Sequence, residues 1–230
     1  LPARARSLCA DYSGAYAAAN FEQIIADDRV KLLYIATNHA SHAEYAIKAL
    51  DAGKHVHIEK PHVINEDQLV RLKAAQERNP ESMVFLGFNR PRSALFRRVM
   101  KTLAGQDGPL MVNWFIAGHH IPDDHWYFSE AEGGRILGNM CHWTDLTLHM
   151  VGLENAFPCE ISTVSPINAK SDFAVSFLFP DRSVATITFS AKGHTFEGVR
   201  EVLNAHRGDA LLALNDFQRL RVDIGPNRRI

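Results

Sequence analysis

The sequence predicts two architectures in succession: an α/β part over residues 1–88 built on a parallel sheet, then an α+β part over residues 89–230 built on a large, mostly antiparallel open sheet. Three observations carry this reading. In the first part short apolar bursts alternate with segments of helical period, and the order strand, helix, strand demands parallel pairing with a right-handed crossover. In the second part, from Glu160 onward, alternating strands follow one another with no helix between them. The change of pattern falls near Asn89.

Taken in order, Ala15 to Ala26 is Ala-rich and carries Phe21, Ile24 and Ile25, which predicts helix around a break near Asn20. Leu32-Leu33-Tyr34-Ile35-Ala36 is short, apolar and bounded by polar residues, the signature of a buried strand. Ala43, Ala46, Ile47 and Leu50 recur on one helical face, and Gly53 stands where a glycine ends a helix. His55-Val56-His57-Ile58 is a second strand. Asn65 to Arg78 reads as a helix with Leu69, Leu72 and Ala75 or Gln76 inward, stopped by Asn79-Pro80, and Met83 to Leu86 is a third strand.

The second part opens with a helix through Leu95, Val99 and Leu103 that ends near Gly105, then a long strand from Met111 to Ala117. A polar stretch leads to a helix from about Gly138 to Gly152. Phe173, Val175, Phe177 and Phe179 alternate, Pro180-Asp181-Arg182 turns, and Val184 to Ser190 returns. Further strands are predicted at 199–203, 211–214 and 220–224, giving an antiparallel sheet with one polar or partner-facing side.

With 46% AVILMFWYC, 22% charged residues, 14 Gly and 10 Pro, the composition excludes disordered, collagenous and disulfide-framework classes. Lys+Arg 25 against Asp+Glu 26 leaves a net charge of −1, with no basic excess to suit nucleic acid or an anionic membrane. Cys9, Cys141 and Cys159 are widely spaced and odd in number, so a reducing cytoplasm is the expected setting. No apolar run approaches the roughly 18 residues of a membrane span.

Chemistry is expected at the carboxyl ends of the parallel strands, where open sheets bind ligands. Each predicted strand runs into polar residues there: Thr37-Asn38-His39, Glu59-Lys60-Pro61 and Asn89-Arg90. Proline holds Lys60 extended at the rim, where a lysine in a partly dry crevice can move or polarise protons; Glu59 could instead pair with it and make the motif structural. Farther on, His142, Asp145 and His149 share a helical face, so that Asp145 could orient His142 as a general acid/base, against the plainer reading of a core histidine. His119, His120, Asp123, Asp124 and His125 offer metal-ligand types at no standard zinc spacing, and no metal is expected.

The run Ile35-Ala36-Thr37-Asn38-His39-Ala40-Ser41-His42, then Ala52-Gly53-Lys54-His55-Val56, Glu59-Lys60-Pro61 and Gly87-Phe88-Asn89-Arg90, resembles the Gfo/Idh/MocA oxidoreductases, whose pattern there is I-A-T-P-x-x-x-H, A-G-K-H-V, E-K-P and G-F-N-R. His142-x-x-Asp145 after a glycine-rich segment resembles the family's active-site helix, and the likeness runs from about Asn20 to about Phe217. It implies a Rossmann-type sheet followed by a sheet domain that often mediates oligomerisation, so a homo-oligomer is expected. It also implies hydride transfer between NAD or NADP and a sugar, cyclitol or nucleotide-sugar carbon, the cofactor supplying the redox step. By position, Lys60 and His142 would be catalytic, Thr37, Asn38, His42 and Glu59 would line the cofactor, and Arg90, His125, Trp126, Asn139 and Asp145 the substrate.

Two departures stand out. Many members carry an acid where this chain has Gly138, and usually Pro where it has Asn38. A dinucleotide site also needs a G-x-G-x-x-G phosphate loop, yet Gly14 is the only glycine before Gly53, so by resemblance the chain starts inside the second helix of an incomplete nucleotide domain and stops short of the family's C-terminal end; the piece alone is expected to bind dinucleotide poorly or not at all and to be inactive, the full gene product performing the redox chemistry. A sugar-binding or regulatory protein on the same scaffold, a glycosidase that uses NAD internally and a metal-dependent hydrolase are the alternatives.

Overall fold

A computed structural model describes residues 2–13, 15–164, 172–191, 198–225 and 227–229. The chain forms two compact units, Leu1–Gly87 and Phe88–Ile230. Among the described residues no helix is long and apolar enough to cross a membrane.

The first unit begins with α1 (Pro2–Ala10) and α2 (Phe21–Ile25), followed by β1 (Leu32–Ile35), α3 (His39–Asp51), β2 (His55–Ile58), α4 (Glu66–Arg78) and β3 (Val84–Leu86). The three strands pair in parallel in the order β1-β2-β3. Leu33, Ile35, Val56 and Ile58 point to the buried face and pack with Ala46, Ala49 and Leu50 of α3 and Leu72 and Ala75 of α4. On the other face Leu32 and Tyr34 are exposed. Gly53, at φ +70°, takes the left-handed turn that releases α3 into β2.

Two local expectations are corrected here. Residues 15–19 are not helical: Asn20 is extended and its side chain accepts from the Gln23 N–H, so helix starts only at Phe21. On α4, Leu69 is exposed and Gln68 is buried in its place, because the Gln68 carboxamide donates to the Ala40 carbonyl and accepts from the Ile64 N–H.

The second unit holds α5 (Ala94–Ala104), β4 (Met111–Ala117), α6 (Cys141–Val151), β5 (Glu160–Val164), β6 (Asp172–Leu178), β7 (Val184–Ser190), β8 (Arg200–Arg207), β9 (Ala210–Asn215), β10 (Arg219–Ile224) and β11 (Asn227–Arg229). Eight strands form one sheet in the order β11-β10-β9-β8-β4-β7-β6-β5. Its pairings are antiparallel except β4 with β7. The sheet is thus mostly antiparallel, as expected, and the one parallel pair follows from the helix-bearing connection between its two strands, which permits a crossover that a hairpin cannot make. Val112, Trp114 and Ile116 face a core shared with Phe96 and Val99 of α5 and with Trp143 and Leu146 of α6. Met111 and Phe115, alternating with them, are exposed on the opposite face.

Candidate active site

In the first unit the ends of the three strands are drawn close together. The Glu59 N–H donates to the Ile35 carbonyl at 2.9 Å and the Gly87 N–H to the Ile58 carbonyl at 2.8 Å, so the exits of β1, β2 and β3 lie in register. Gly87 is required there: a Cβ would come within 3.0 Å of Glu59 Cα and of the Ile58 carbonyl oxygen, both backbone atoms. Lys60, half-buried, leaves this rim through a cis bond to Pro61.

The residues around Lys60 hold one another. Tyr34 donates its hydroxyl to Glu59 Oε1 at 2.6 Å, stacks on His57 with ring centroids 4.3 Å apart, and has its pKa raised chiefly by that hydrogen bond. The Lys60 N–H donates to Glu59 Oε2 at 3.3 Å. His42, 1% exposed, has Nδ1 2.8 Å from the Pro61 carbonyl oxygen and Nε2 2.9 Å from that of Thr37, so it ties the β1 and β2 exits together. Thr37 and Asn38 are exposed; Thr37 Oγ1 pairs with Ser41 Oγ at 2.7 Å, and Asn38 precedes the first turn of α3 without a side-chain cap bond. Exposed polar groups thus stand at the carboxyl end of a parallel sheet, where such sheets bind ligands.

In the second unit His142 lies on α6, 8% exposed, with the Phe88 ring set edge-on at 6.0 Å between centroids. Next to it Trp143 is fully buried and donates Nε1–H to Glu201 Oε2 at 2.7 Å. Arg90 grips the same carboxylate with both sides of its fork, Nε to Oε2 at 2.7 Å and Nη2 to Oε1 at 2.6 Å, and its guanidinium lies 5.7 Å from the Trp143 ring. This is a partly buried, bidentate, charge-assisted pair, which fixes geometry closely.

Asn139 and its neighbours form a second group. Its Oδ1 accepts from the Tyr127 hydroxyl at 2.6 Å and from Arg135 Nη1 at 3.2 Å. His125, exposed, accepts from the Tyr127 N–H at 3.3 Å and packs against the exposed Trp126. The structure therefore brings Asn139, Tyr127, His125 and Trp126 together. It does not bring Asp145 to His142. Asp145 Oδ1 instead lies 3.7 Å from His149 Nε2 one turn on, and its pKa is raised by burial. That corrects the expected orienting role: on this helix the i, i+4 pair forms and the i, i+3 pair does not.

Tyr34, Arg135, Trp143 and Glu201 went unremarked as site residues in the sequence. Arg135 stands inside the glycine-rich run, whereas nothing local marks Glu201, whose partner Arg90 is 111 residues away. Among the described residues, no three His, Cys, Asp or Glu side chains gather as a metal site, and the group His119 to His125 does not form one.

The chain resembles known proteins in sequence and in fold. Residues 1–88 match the family described as an oxidoreductase family with an NAD-binding Rossmann fold. An oxidoreductase of Synechocystis sp. is 24% identical over 94% of this chain and 63% of its own length. Levoglucosan dehydrogenase of Pseudarthrobacter phenanthrenivorans is 28% identical over 64% of this chain and 40% of its own. A solved levoglucosan dehydrogenase in complex with NADH and L-sorbose superposes with a TM-score of 0.82 at 20% identity, covering 99% of this chain and 66% of that one. The chain thus spans less than two-thirds of the length of these relatives. The family match, to the Gfo/Idh/MocA oxidoreductases, covers residues 1–88 of the 230.

Proposed function

We propose that the protein catalyses hydride transfer between a nicotinamide dinucleotide, NAD or NADP, and a hydroxyl-bearing carbon of a sugar, cyclitol or nucleotide-sugar. The observation that carries this reading is Lys60 at the register-matched exits of three parallel strands within residues that match an NAD-binding fold. The bound dinucleotide supplies the hydride acceptor. Lys60 donates a hydrogen bond to the reacting oxygen. His142 takes the hydroxyl proton as the carbon becomes a carbonyl, and returns it in the reverse direction. Thr37 and Asn38 face the cofactor, whereas His42 and Glu59, occupied by carbonyl groups, Tyr34 and the Lys60 backbone, set the shape of the loops that do so. Arg90 serves the substrate side by holding Glu201 and Trp143 rather than by reaching out. Asn139, His125 and Trp126 supply contacts to hydroxyl groups.

The similarity to levoglucosan dehydrogenase supports a sugar-like substrate. We further infer a homo-oligomer joined through the outer face of the large sheet, where Met111, Phe115 and Leu211 are exposed, and a cytoplasmic setting for a chain whose three cysteines are unbridged. Absorbance of the reduced nicotinamide, followed across a panel of sugars and cyclitols with NAD and NADP, tests the activity. Lys60→Ala and His142→Ala are each expected to lower turnover by about 10²- to 10⁴-fold with dinucleotide affinity little changed. Saturable sugar binding with no turnover by either cofactor would replace this reading with that of a binding protein.

A further inference from the structure

Arg135 is 4% exposed, and its hydrogen-bond partners among the described residues are neutral. Its Nη1 donates to Asn139 Oδ1 at 3.2 Å and its Nη2 to the His119 carbonyl at 2.8 Å, both neutral acceptors. The guanidinium carbon lies 5.8, 5.6 and 5.5 Å from the ring centroids of Tyr127, Phe128 and Phe189. Nε is buried with no hydrogen-bond partner, and among the described residues no carboxylate pairs with this side chain. Arg90 shows the usual arrangement in the same unit, a shielded guanidinium neutralised by Glu201.

Burying a cation costs several kcal/mol, and arginine is almost never fully buried unless paired. Three aromatic faces offset part of that cost but leave the charge in place. Burial accordingly draws the Arg135 pKa below its usual value. The unused Nε–H and the remaining N–H donors form a fork that suits the two oxygens of a carboxylate or phosphate. The apolar walls make an ionic partner worth more than a hydroxyl at the same place. Arg135 also stands directly before the π-helical turn Ile136–Met140 that leads into α6, and it shares the Asn139 oxygen with Tyr127. Its cover is the irregular segment 118–128, which contains the exposed His125 and Trp126 and no long helix or strand.

Resting on the hydride-transfer reading, we propose that Arg135 is a specificity-determining residue, and that the sugar-like substrate carries an anionic substituent, carboxylate or phosphate, which completes this site. The test titrates the protein calorimetrically, without added dinucleotide, with D-glucuronate, D-glucose 6-phosphate and their neutral parent D-glucose. An anionic member is expected to bind about tenfold tighter than glucose or better, a margin of about 1.4 kcal/mol. The carboxylate arm responding alone identifies a sugar acid, and the phosphate arm alone a sugar phosphate. Arg135→Gln should erase the margin and Arg135→Lys should keep part of it. Since Arg135→Gln also removes the aromatic contacts, Asn139→Asp is the second variant: it sets a carboxylate at the atom that already accepts from Arg135 and should erase the margin while circular dichroism and Tm stay as in the wild type. Equal binding of all three ligands, or a margin that survives both Arg135→Gln and Asn139→Asp, overturns the proposal. Hydride transfer absent on every sugar, with the margin intact, would overturn the activity and leave the anion site standing.

Discussion

Two residues beyond Lys60, His62 is held neutral. Burial lowers its pKa from 6.5 to about 4, helped by the nearby His42 and His57 and opposed by Glu59. The folded value lies below the unfolded one, so between these pH values the unfolded chain binds more protons and stability falls with acidification. The first unit is expected to lose up to about 3 kcal/mol as the pH drops from about 6.5 to about 4. Urea midpoints measured across that range would show it, and His62→Gln should flatten the dependence; an equally steep curve in the variant would assign the loss elsewhere. In the second unit the comparable residue is Glu201. Removing it leaves the Arg90 guanidinium, 18% exposed at the side chain, without a counter-charge, and leaves the Trp143 indole N–H unbonded. Glu201→Ala is therefore expected to cost about 3–5 kcal/mol in denaturant unfolding, and Arg90→Lys less than that because one charged contact survives.

At the level of elements, the close approach of β2 and β3 is the tightest constraint near the proposed chemistry. Gly87→Ala forces two backbones apart and is expected to cost about 1–3 kcal/mol while shifting Glu59 and Lys60. Turnover should fall further than Tm predicts, and hydride-transfer rates set beside thermal melts of the same variant would reveal the difference. The β1-α3-β2-α4-β3 succession was legible in the sequence because one buried face per element imposes a period that apolar residues must follow. Residues 15–19 and Leu69 defeated that logic. Helix propensity ran through the alanines, but Asn20 captured the Gln23 N–H, and the buried place that periodicity assigned to Leu69 went to a glutamine whose carboxamide is held by the Ala40 carbonyl and the Ile64 N–H. For the site, strand-end position pointed to Lys60 and Asn38. The Arg90–Glu201 grip and the His149 partner of Asp145 depended on where side chains meet after folding, and no spacing rule carries that information.

The second unit presents a broad sheet whose inner side is filled by α5 and α6 and whose outer side exposes Met111, Phe115 and Leu211. Sedimentation velocity is expected to show a dimer or larger assembly, and Met111→Glu combined with Phe115→Glu should return it to monomer with melting little changed; a wild type that sediments as a monomer at all concentrations would remove the assembly. The same sheet constrains the order in which the protein can be made. One of its two central strands, β4, has β7 on one side and β8 on the other, and both are translated long after it. While β4 leaves the ribosome neither of its hydrogen-bonding edges has a partner, so a nascent chain halted before β7 exposes an apolar strand with two open sides. Synthesis of the second unit thus passes through a stretch in which Trp114 and Ile116 have no sheet partners to shield them, and their protection waits on β7 and β8.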